Sequence, residues 1–408
     1  MDEPDPDAAV PPGADSTGAG AGPAGAGPAG AGPAGAGPVG AEPVGAEPVG
    51  VESVGVEEEF LLVDSRTRRT VPDAAVVLTD CPPVRAELKP ELLTSQVELA
   101  TGVCTDLDEL RAQLVEGRRA LAEAAARHGD LLVSVGVPPL GGGTAAVAEG
   151  DRYTRIRQRY AAVVTDYQAC GCHVHVGVPD DEIVPVLGRV RAALPTLVAA
   201  LVNSPCREGA DSGYASWRVV LQSRFPGFGL PPDCASRVEY DRALRRLVDT
   251  GAVVDRHMSF WLARRSEHLP TVEFRVADAA GSVDEAVLLA GLIRALVRTA
   301  RREARAGRPV PAVAPEVAAA AVWSAARYGL DGPGVDPASG RQVPAAQQLR
   351  ALLRRVRPAL AELGDERRVC DGVEALLAGG TGAARQRRFG LADPAALVDW
   401  LAARTRAT

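Results

Sequence analysis

The stretch that most constrains the fold of this chain is Val54–Asp64, where three consecutive glutamates interrupt a run of apolar residues. The apolar residues on both sides predict a buried β-strand. Because side chains alternate faces along a strand, we expect Glu57 and Glu59 to share one face and Glu58 to occupy the other. Two carboxylates in apolar surroundings repel each other and lose hydration unless a cation lies between them. A divalent-metal site and a solvated acidic edge strand both account for this stretch.

Three further segments with the pattern of apolar strands also carry two polar residues separated by one position. These pairs are Gln96/Glu98, His173/His175 and Glu273/Arg275. Each pair has an ordinary explanation when taken singly, because the histidines can be core residues and Glu273 with Arg275 can form cross-strand ion pairs. Together with the glutamates of the first strand, they predict one sheet face lined with metal ligands.

Carboxylates with an occasional imidazole form a ligand set that suits Mg²⁺ or Mn²⁺, especially where substrate phosphates complete the coordination. We therefore predict that Arg275 and a second arginine, for which Arg264 is the candidate, contact phosphate oxygens. The long connection over residues 203–232 is a further candidate region, because long loops in compact domains tend to be functional. Its candidate substrate contacts are Asp211, Tyr214, Trp217, Arg218 and Arg224.

Composition excludes several other classes of protein. The net charge is −7 and no Lys/Arg cluster is interleaved with aromatic residues, which argues against a nucleic-acid partner. The seven cysteines are an odd number without zinc-ribbon spacing, and a disulfide framework is not expected in a chain of 408 residues. The sequence shows no secretory signal and no uncharged run of about eighteen apolar residues, so we expect no membrane partner and a cytoplasmic location.

Residues 1–52 form a Gly/Ala/Pro-rich tail in which proline recurs at every fifth position from Pro23 to Pro48. Proline at this spacing is incompatible with a regular helix or sheet, and glycine makes any single conformation entropically costly. A collagen helix is excluded because the period is five rather than three. We therefore predict a disordered tail over residues 1–52 and one folded domain over residues 53–408.

The remainder of the chain mixes strands and helices without a regular βαβ alternation, which predicts an α+β fold. Asp106 is placed to cap a helix that runs to about His128. We also predict a short strand over residues 75–78, one continuous helix over residues 180–202, and paired strands over residues 258–263 and 271–276. Helices are predicted to dominate after residue 283.

Seven segments resemble the motifs of one known family. They are GVEEEFLLVD (55–64), ELLTSQVE (91–98), CGCHVHVG (170–177), NSP (203–205), GYAS (213–216), HLPTVEFRVAD (268–278) and ARYGLD (326–331). In this order they resemble the carboxylate–amine ligases of the glutamate–cysteine ligase type 2 family, from about Ser53 to the C-terminus. More distantly, the four polar pairs are similar to metal and nucleotide positions of glutamine synthetase.

The resemblance implies a fold and a chemistry. The fold is a curved, mainly antiparallel sheet with helices on its outer face, and its concave face holds ATP and two or more Mg²⁺. Residues 53–408 would form a catalytic domain that joins a carboxylate to an amine through an acyl phosphate, with glutamate and cysteine or similar small molecules as substrates. The implied metal ligands are Glu57, Glu59, Glu98, His173 and Glu273. The implied contacts to ATP phosphates are His175, Arg264 and Arg275, and the two arginines are the implied catalytic groups.

Two alternative functions stay open at this point. One is a ligase of the same mechanism that acts on a different acid and amine, and the other is a non-catalytic regulator that binds a nucleotide or an amino acid. All four polar pairs are retained, which argues against the regulator because an inactive site has no reason to bury charge. The sequence is compatible with a homo-oligomer and leaves the oligomeric state open.

Overall fold

The computed structural model describes residues 52–141, 146–147, 150–165 and 167–406. The predicted disordered tail lies outside these described residues, with the exception of Glu52. The strands of the described chain are β1 Val54–Asp64, β2 Glu87–Pro90, β3 Gln96–Ala100, β4 Asp130–Val133, β5 Gly171–Gly177, β6 Cys206–Arg207, β7 Ala210–Asp211, β8 Ala263–Arg265, β9 Thr271–Asp278, β10 Pro333–Asp336 and β11 Arg341–Pro344.

The helices of the described chain fall between these strands and become dominant towards the C-terminus. They are α1 Ala74–Asp80, α2 Leu107–Arg127, α3 Asp151–Tyr160, α4 Ala162–Thr165, α5 Ile183–Val190, α6 Leu194–Ala200, α7 Trp217–Gln222, α8 Arg237–Asp249, α9 Val283–Arg305, α10 Pro315–Tyr328, α11 Ala345–Leu363, α12 Glu366–Gly379, α13 Gly382–Phe389 and α14 Pro394–Arg406. Short 3₁₀ turns lie at Asp180–Glu182, Arg191–Ala193 and Arg256–Met258.

One open sheet organises the fold. Its strands run in the order β2-β3-β1-β5-β9-β8, and β4 extends it by pairing with the C-terminal half of β1. All of these pairings are antiparallel. The prediction of an α+β fold with a mainly antiparallel sheet is confirmed, and β1 is the strand through which the others are connected.

The two faces of β1 pack against different helices. Val56, Phe60 and Leu62 belong to the main apolar core, which also contains buried residues of α2 and α9. Leu61 and Val63 point to the other face and pack into a smaller cluster with α14. This alternation is the strand period that the sequence predicted, and it sends the side chains of adjacent glutamates in opposite directions.

Helix α2 begins and ends where its sequence signals place it. The Asp106 carboxylate accepts hydrogen bonds from the backbone N–H groups of Asp108 (2.9 Å) and Glu109 (2.8 Å), which makes Asp106 the N-cap. Its apolar face, including Leu110 and Leu114, is buried in the main core. Gly129 follows the helix with a φ of 82°, a left-handed conformation that glycine adopts without strain.

The predicted strand over residues 75–78 is wrong, because this segment lies inside helix α1. A run of four apolar residues fits either a short strand or one helical turn, so tertiary packing decides between the two. In α1, Ala74 and Val77 are buried while Val76 remains exposed, which is helical rather than strand periodicity.

The predicted continuous helix over residues 180–202 is divided into α5 and α6 by a 3₁₀ turn at Arg191–Ala193. Pro195 lies in the first turn of α6 and has no backbone N–H to donate to the preceding turn, which explains the interruption. Among the described residues, Asp180–Ala200 is the one helical segment long and apolar enough to cross a membrane. It is mostly buried inside the fold, as expected for a core helix.

The predicted strand over residues 258–263 is also wrong. The Asp255 side chain accepts a hydrogen bond from the His257 N–H (3.0 Å) and starts a 3₁₀ turn, so only Ala263–Arg265 pairs with β9. The β10–β11 hairpin and helix α13 are elements that the sequence patterns did not predict.

Candidate active site

The sheet face that carries Glu57 and Glu59 opens onto a cavity of about 620 Å³. Every residue predicted to bind metal or phosphate lines this cavity: Glu57, Glu59, Glu98, His173, His175, Arg264, Glu273 and Arg275. They converge because each polar pair keeps the two-residue period of its strand and the strands are neighbours in the sheet. The structure thus brings the predicted residues together, and their individual roles stay predictions.

Antiparallel pairing sets which of these residues are neighbours. Glu59 lies opposite Glu98 on β3, and Glu57 lies opposite His173 on β5. In the same way, Glu273 on β9 lies opposite His175 on one side and Arg264 on the other.

Glu57, His175 and Glu273 form a group of possible metal ligands. Each offers one ligand atom, and these atoms lie within 4.8 Å of one another. Burial acts to raise the pKa of Glu57, but the adjacent His175 and His173 hold this pKa well below its ordinary value. A carboxylate that stays ionised in a buried site is suited to bind a divalent cation.

Two arginines clamp the carboxylate of Glu273. Arg264 donates to it through Nε (2.6 Å) and Nη2 (3.1 Å), and Arg275 donates through Nη1 (2.6 Å). Burial acts to raise the pKa of Glu273, but the charges of Arg264 and Arg275 hold it far below its ordinary value. Arg264 also donates to the carbonyls of His257 and Ser259, so most of its donors are occupied within the protein.

The two histidines each have one buried nitrogen that lacks a hydrogen-bond partner among the described residues. For both His173 and His175 this atom is Nε2. Burial, together with the charge of Arg275, lowers the pKa of His173. Burial also acts to lower the pKa of His175, but Glu57 outweighs it and raises this pKa above its ordinary value. The lowered pKa favours a neutral imidazole at His173, which is a ready ligand for a metal or a hydrogen-bond partner for a substrate. His175 Nε2 instead lies 3.5 Å from Glu57 Oε1.

The other wall of the cavity is formed by Glu59, Glu98, the end of β2 and the segment that follows it. The Gly171 N–H donates to Glu59 Oε2 at 2.6 Å, and Lys89 Nζ lies 3.0 Å from Glu98 Oε1. Burial, with Glu57 and Glu91 nearby, raises the pKa of Glu98 well above its ordinary value. Carboxylates that lie this close together disfavour one another's ionisation, and a bound cation would relieve the repulsion.

Two residues of this wall, Lys89 and Glu91, were not predicted from the sequence. Burial and the charge of Glu59 raise the pKa of Glu91 to about 7. A signal for Lys89 did exist, because it is the only lysine among 45 Lys and Arg residues of the chain. Glu91 gave no comparable signal, since it stands outside any strand.

The structure corrects the predicted substrate contacts of the 203–232 region, because only Arg218 of the five lines the cavity. Asp211 accepts two hydrogen bonds from Arg387, both 2.9 Å long, and lies away from the cavity. Tyr214 and Trp217 pack edge to face against each other, and Arg224 is exposed at the end of α7. Gln222 of α7, which was not predicted, lines the cavity with Arg218.

Solved structures with the same architecture identify the fold. A glutamate–cysteine ligase from Francisella tularensis, solved in complex with AMP, aligns with a TM-score of 0.63 at 12% identity and covers 88% of this chain and 90% of its own. A bifunctional glutathione synthetase from Pasteurella multocida aligns with a TM-score of 0.57 at 16% identity, over 86% of this chain and 52% of that one. The fold is therefore of the glutamate–cysteine ligase type.

Sequence comparison assigns the family within that class. The sequence model described as glutamate–cysteine ligase family 2 (GCS2) matches residues 53–391. A protein of Saccharopolyspora erythraea with the provisional name glutamate–cysteine ligase 2-2 is 50% identical over 355 residues, which cover 85% of this chain and 91% of the relative. This chain belongs to glutamate–cysteine ligase family 2, and the resemblance read from its motifs is confirmed.

Proposed function

We propose that this protein is an ATP-dependent carboxylate–amine ligase that forms an amide through an acyl phosphate. The first candidate reaction joins glutamate to cysteine and gives γ-glutamylcysteine. The observation that carries the proposal is the convergence of Glu57, His175 and Glu273, from three strands, on one point of a cavity large enough for several substrate groups. Membership of a ligase family supports the same conclusion.

The residues of the cavity fit Mg²⁺ or Mn²⁺. The donor set consists of carboxylates and imidazoles, and the buried Nε2 atoms of His173 and His175 have no hydrogen-bond partner among the described residues. Glu57, Glu59, Glu98, His173 and Glu273 are the ligands proposed from the sequence, and the structure adds His175 as a further candidate. When bound, Mg²⁺ would supply neutralisation of the phosphate charge and orientation of the γ-phosphate of ATP.

The protein itself contributes positioning and charge. Arg264 fixes the carboxylate of Glu273, and we propose that Arg275 contacts a phosphate oxygen through the donors that it does not use on Glu273 and His173. Because the reaction needs no protein nucleophile, the buried Cys172 of β5 and Cys170 just before the strand have no assigned part in it. Burial raises the pKa of both Cys170 and Cys172 well above the ordinary value, which leaves them as unreactive thiols.

ADP release in the presence of Mg²⁺, ATP and a panel of amino acids tests this function. We expect glutamate and cysteine together to stimulate release by the wild type, and we expect Glu59→Ala and Glu273→Ala to abolish the stimulation. Glu123→Ala, which removes an exposed carboxylate of α2, is the matched control. Stimulation by glutamate without dependence on cysteine would favour a different amine, and no stimulation by any amino acid would favour a non-catalytic regulator.

A further inference from the structure

A second cavity, of about 400 Å³, lies between helices α7 and α10 and residues 228–232. Small-molecule sites of proteins commonly have volumes of about 300–1,000 Å³. No described residue lines both this cavity and the candidate active site. The second cavity is therefore a separate space, of a size that suits one small ligand.

Most side chains that line the second cavity are apolar, and three of them are aromatic: Tyr214, Phe228 and Trp323. Trp323 is 49% exposed, although an indole ring is costly to leave in water. It is nevertheless held in place, because its Nε1 donates to the Tyr214 hydroxyl at 3.2 Å and its ring packs edge to face against Tyr328. The half-exposed indole is thus a preformed wall against which an aromatic ligand can pack.

Arg191 is the one charged side chain among the described residues that line the second cavity. It stands at the 3₁₀ turn that divides α5 from α6, and its side chain is 9% exposed. Its Nε and Nη1 are buried and have no hydrogen-bond partner in the part of the chain that the structure describes. A buried donor without an acceptor destabilises the folded state. A carboxylate in the cavity would remove this cost through a charge-assisted hydrogen bond.

Asp233 is the ion-pair partner of Arg191, with its Oδ2 3.0 Å from Arg191 Nη1. This contact does not have the geometry of a hydrogen bond. The side chain of Asp233 is 58% exposed, so water screens its charge and the pair contributes little. The guanidinium can therefore keep its contact with Asp233 through Nη1 and still donate from Nε to an anion in the cavity.

Helix α7 separates the second cavity from the candidate active site. Arg218 and Gln222, one helical turn apart, line the active-site cavity. Val219, Val220 and Ser223 line the second cavity from another face of the same short helix. A ligand in the second cavity would therefore contact the helix that carries two side chains of the candidate active site, so its binding can change their position.

We infer that the second cavity is a regulatory site for a small molecule with an aromatic body and one carboxylate. The aromatic body packs against Trp323 and Phe228, and the carboxylate accepts a hydrogen bond from Arg191 Nε. The regulatory effect, in which occupancy shifts α7 and changes the KM of an amino-acid substrate, rests on the proposed function. Binding of the ligand does not depend on that function.

Isothermal titration calorimetry with biphenyl-4-carboxylate and biphenyl-4-carboxamide tests the ligand class, because the two probes have the same size and differ in charge. We expect the wild type to bind the carboxylate about tenfold more tightly than the carboxamide, and Arg191→Met to remove this difference. Arg242→Met, which removes an exposed arginine of α8, is the control. Equal affinities of the wild type for the two probes, or no binding of either, would overturn the inference.

Two tryptophan substitutions on α10 test the location of the site. Ala319 is exposed at the surface and lines the second cavity, so Ala319→Trp should fill the cavity without disturbing the core and abolish binding of biphenyl-4-carboxylate. The neighbouring Ala320 is also exposed and does not line the cavity, so Ala320→Trp should bind as the wild type does. Undiminished binding by Ala319→Trp would place the probe elsewhere and contradict the inference.

The kinetics of ADP release test the regulatory effect. Saturating biphenyl-4-carboxylate should change the KM of glutamate or cysteine by about fivefold or more in the wild type and leave Ala319→Trp unaffected. Binding without a kinetic change would refute the regulatory role. If the wild type shows no turnover, the proposed function fails, and calorimetry still decides whether the ligand site exists. A dimer that Ala319→Trp dissociates in sedimentation equilibrium would make the cavity an interface between two copies and overturn the inference.

Discussion

Arg118 donates two hydrogen bonds to the carboxylate of Glu58, through Nε at 2.8 Å and Nη2 at 2.5 Å, in the core beneath the sheet. Both side chains are fully buried. Glu58 thus faces helix α2, while Glu57 and Glu59 face the cavity on the other side of β1. Three consecutive glutamates therefore divide into one structural carboxylate and two carboxylates of the candidate active site.

Glu58→Gln should leave catalysis intact and weaken the fold. Breaking one partner of a buried ion pair costs about 3–5 kcal/mol of unfolding free energy, because the remaining charge loses its counter-ion. Urea unfolding measures this loss, and ADP release per folded molecule should stay within about twofold of wild type. Glu57→Gln and Glu59→Gln should instead lose activity with little change in unfolding. Equal loss of activity in all three variants would contradict the assignment of the two faces.

Gly171→Ala should impair substrate use although glycine makes no side-chain contact. The added methyl group would collide with Arg218 Nη2 and crowd His173 Nε2, so we expect kcat/KM to fall by about tenfold or more. Gly55→Ala on the neighbouring strand is the control, since its Cβ would meet no atom closer than 3.7 Å. Equal kinetics for Gly171→Ala and wild type would show that the space beside Gly171 is not used.

Chemical labelling of Lys89 should report ligand binding. Lys89 carries the only side-chain amine of the protein, and its side chain is 37% exposed. Burial acts to lower the pKa of Lys89, but Glu98 and Glu57 outweigh it and raise this pKa, which should slow acetylation relative to a free lysine. Mass spectrometry should show further protection by Mg·ATP, with the N-terminal amine as an internal reference. Unchanged labelling under saturating Mg·ATP would place the nucleotide away from this wall.

The free energy of unfolding should decrease as the pH rises from about 4 to about 6, because of Asp130. Burial and the neighbouring Asp73 raise the pKa of Asp130 from 3.8 to about 6, and its Oδ2 has no hydrogen-bond partner among the described residues. The folded state therefore binds more protons than the unfolded state in this pH window. The contribution of protonated Asp130 to stability is lost as the pH rises through the window.

Asp130→Asn should remove this dependence and stabilise the protein at pH 7 by about 1–3 kcal/mol. Urea unfolding at pH 4 and pH 7 measures both effects. Asp249→Asn, which replaces an exposed aspartate, is the control. Destabilisation by Asp130→Asn at pH 7 would show that the charged carboxylate is favoured in the folded protein.

Residues of the candidate active site could be predicted from the sequence wherever they follow the two-residue period of a strand. The strands carry Glu57, Glu59, Glu98 and Glu273. Each polar pair is recognisable in the sequence because its neighbours are apolar, and the strand period places both side chains of a pair on one face. Glu91 and Arg218 lie outside strands, and their arrival in the cavity depends on how α7 and the segment after β2 fold back over the sheet. No local pattern carries that information.

The elements that were predicted wrongly show the same limit. Residues 75–78 have too few apolar positions to distinguish a strand from a helix, and packing decided for α1. At the start of the predicted strand 258–263, the Asp255 side chain accepts a hydrogen bond from the His257 N–H, and the 3₁₀ turn Arg256–Met258 forms in spite of the apolar pattern. By contrast, α2 has its own cap and a long apolar face, so local signals were sufficient to place it.

The alternation of charge along β1 also determines how the strand can align during folding. A slip of one residue would move Glu57 and Glu59 into the apolar core, where Arg118 could neutralise only one of them, and would remove Glu58 from its partner. Misaligned sheets would thus bury at least one carboxylate without a counter-ion, which costs several kcal/mol. The residues proposed for metal binding would in this way enforce the correct strand alignment before any metal or substrate is bound.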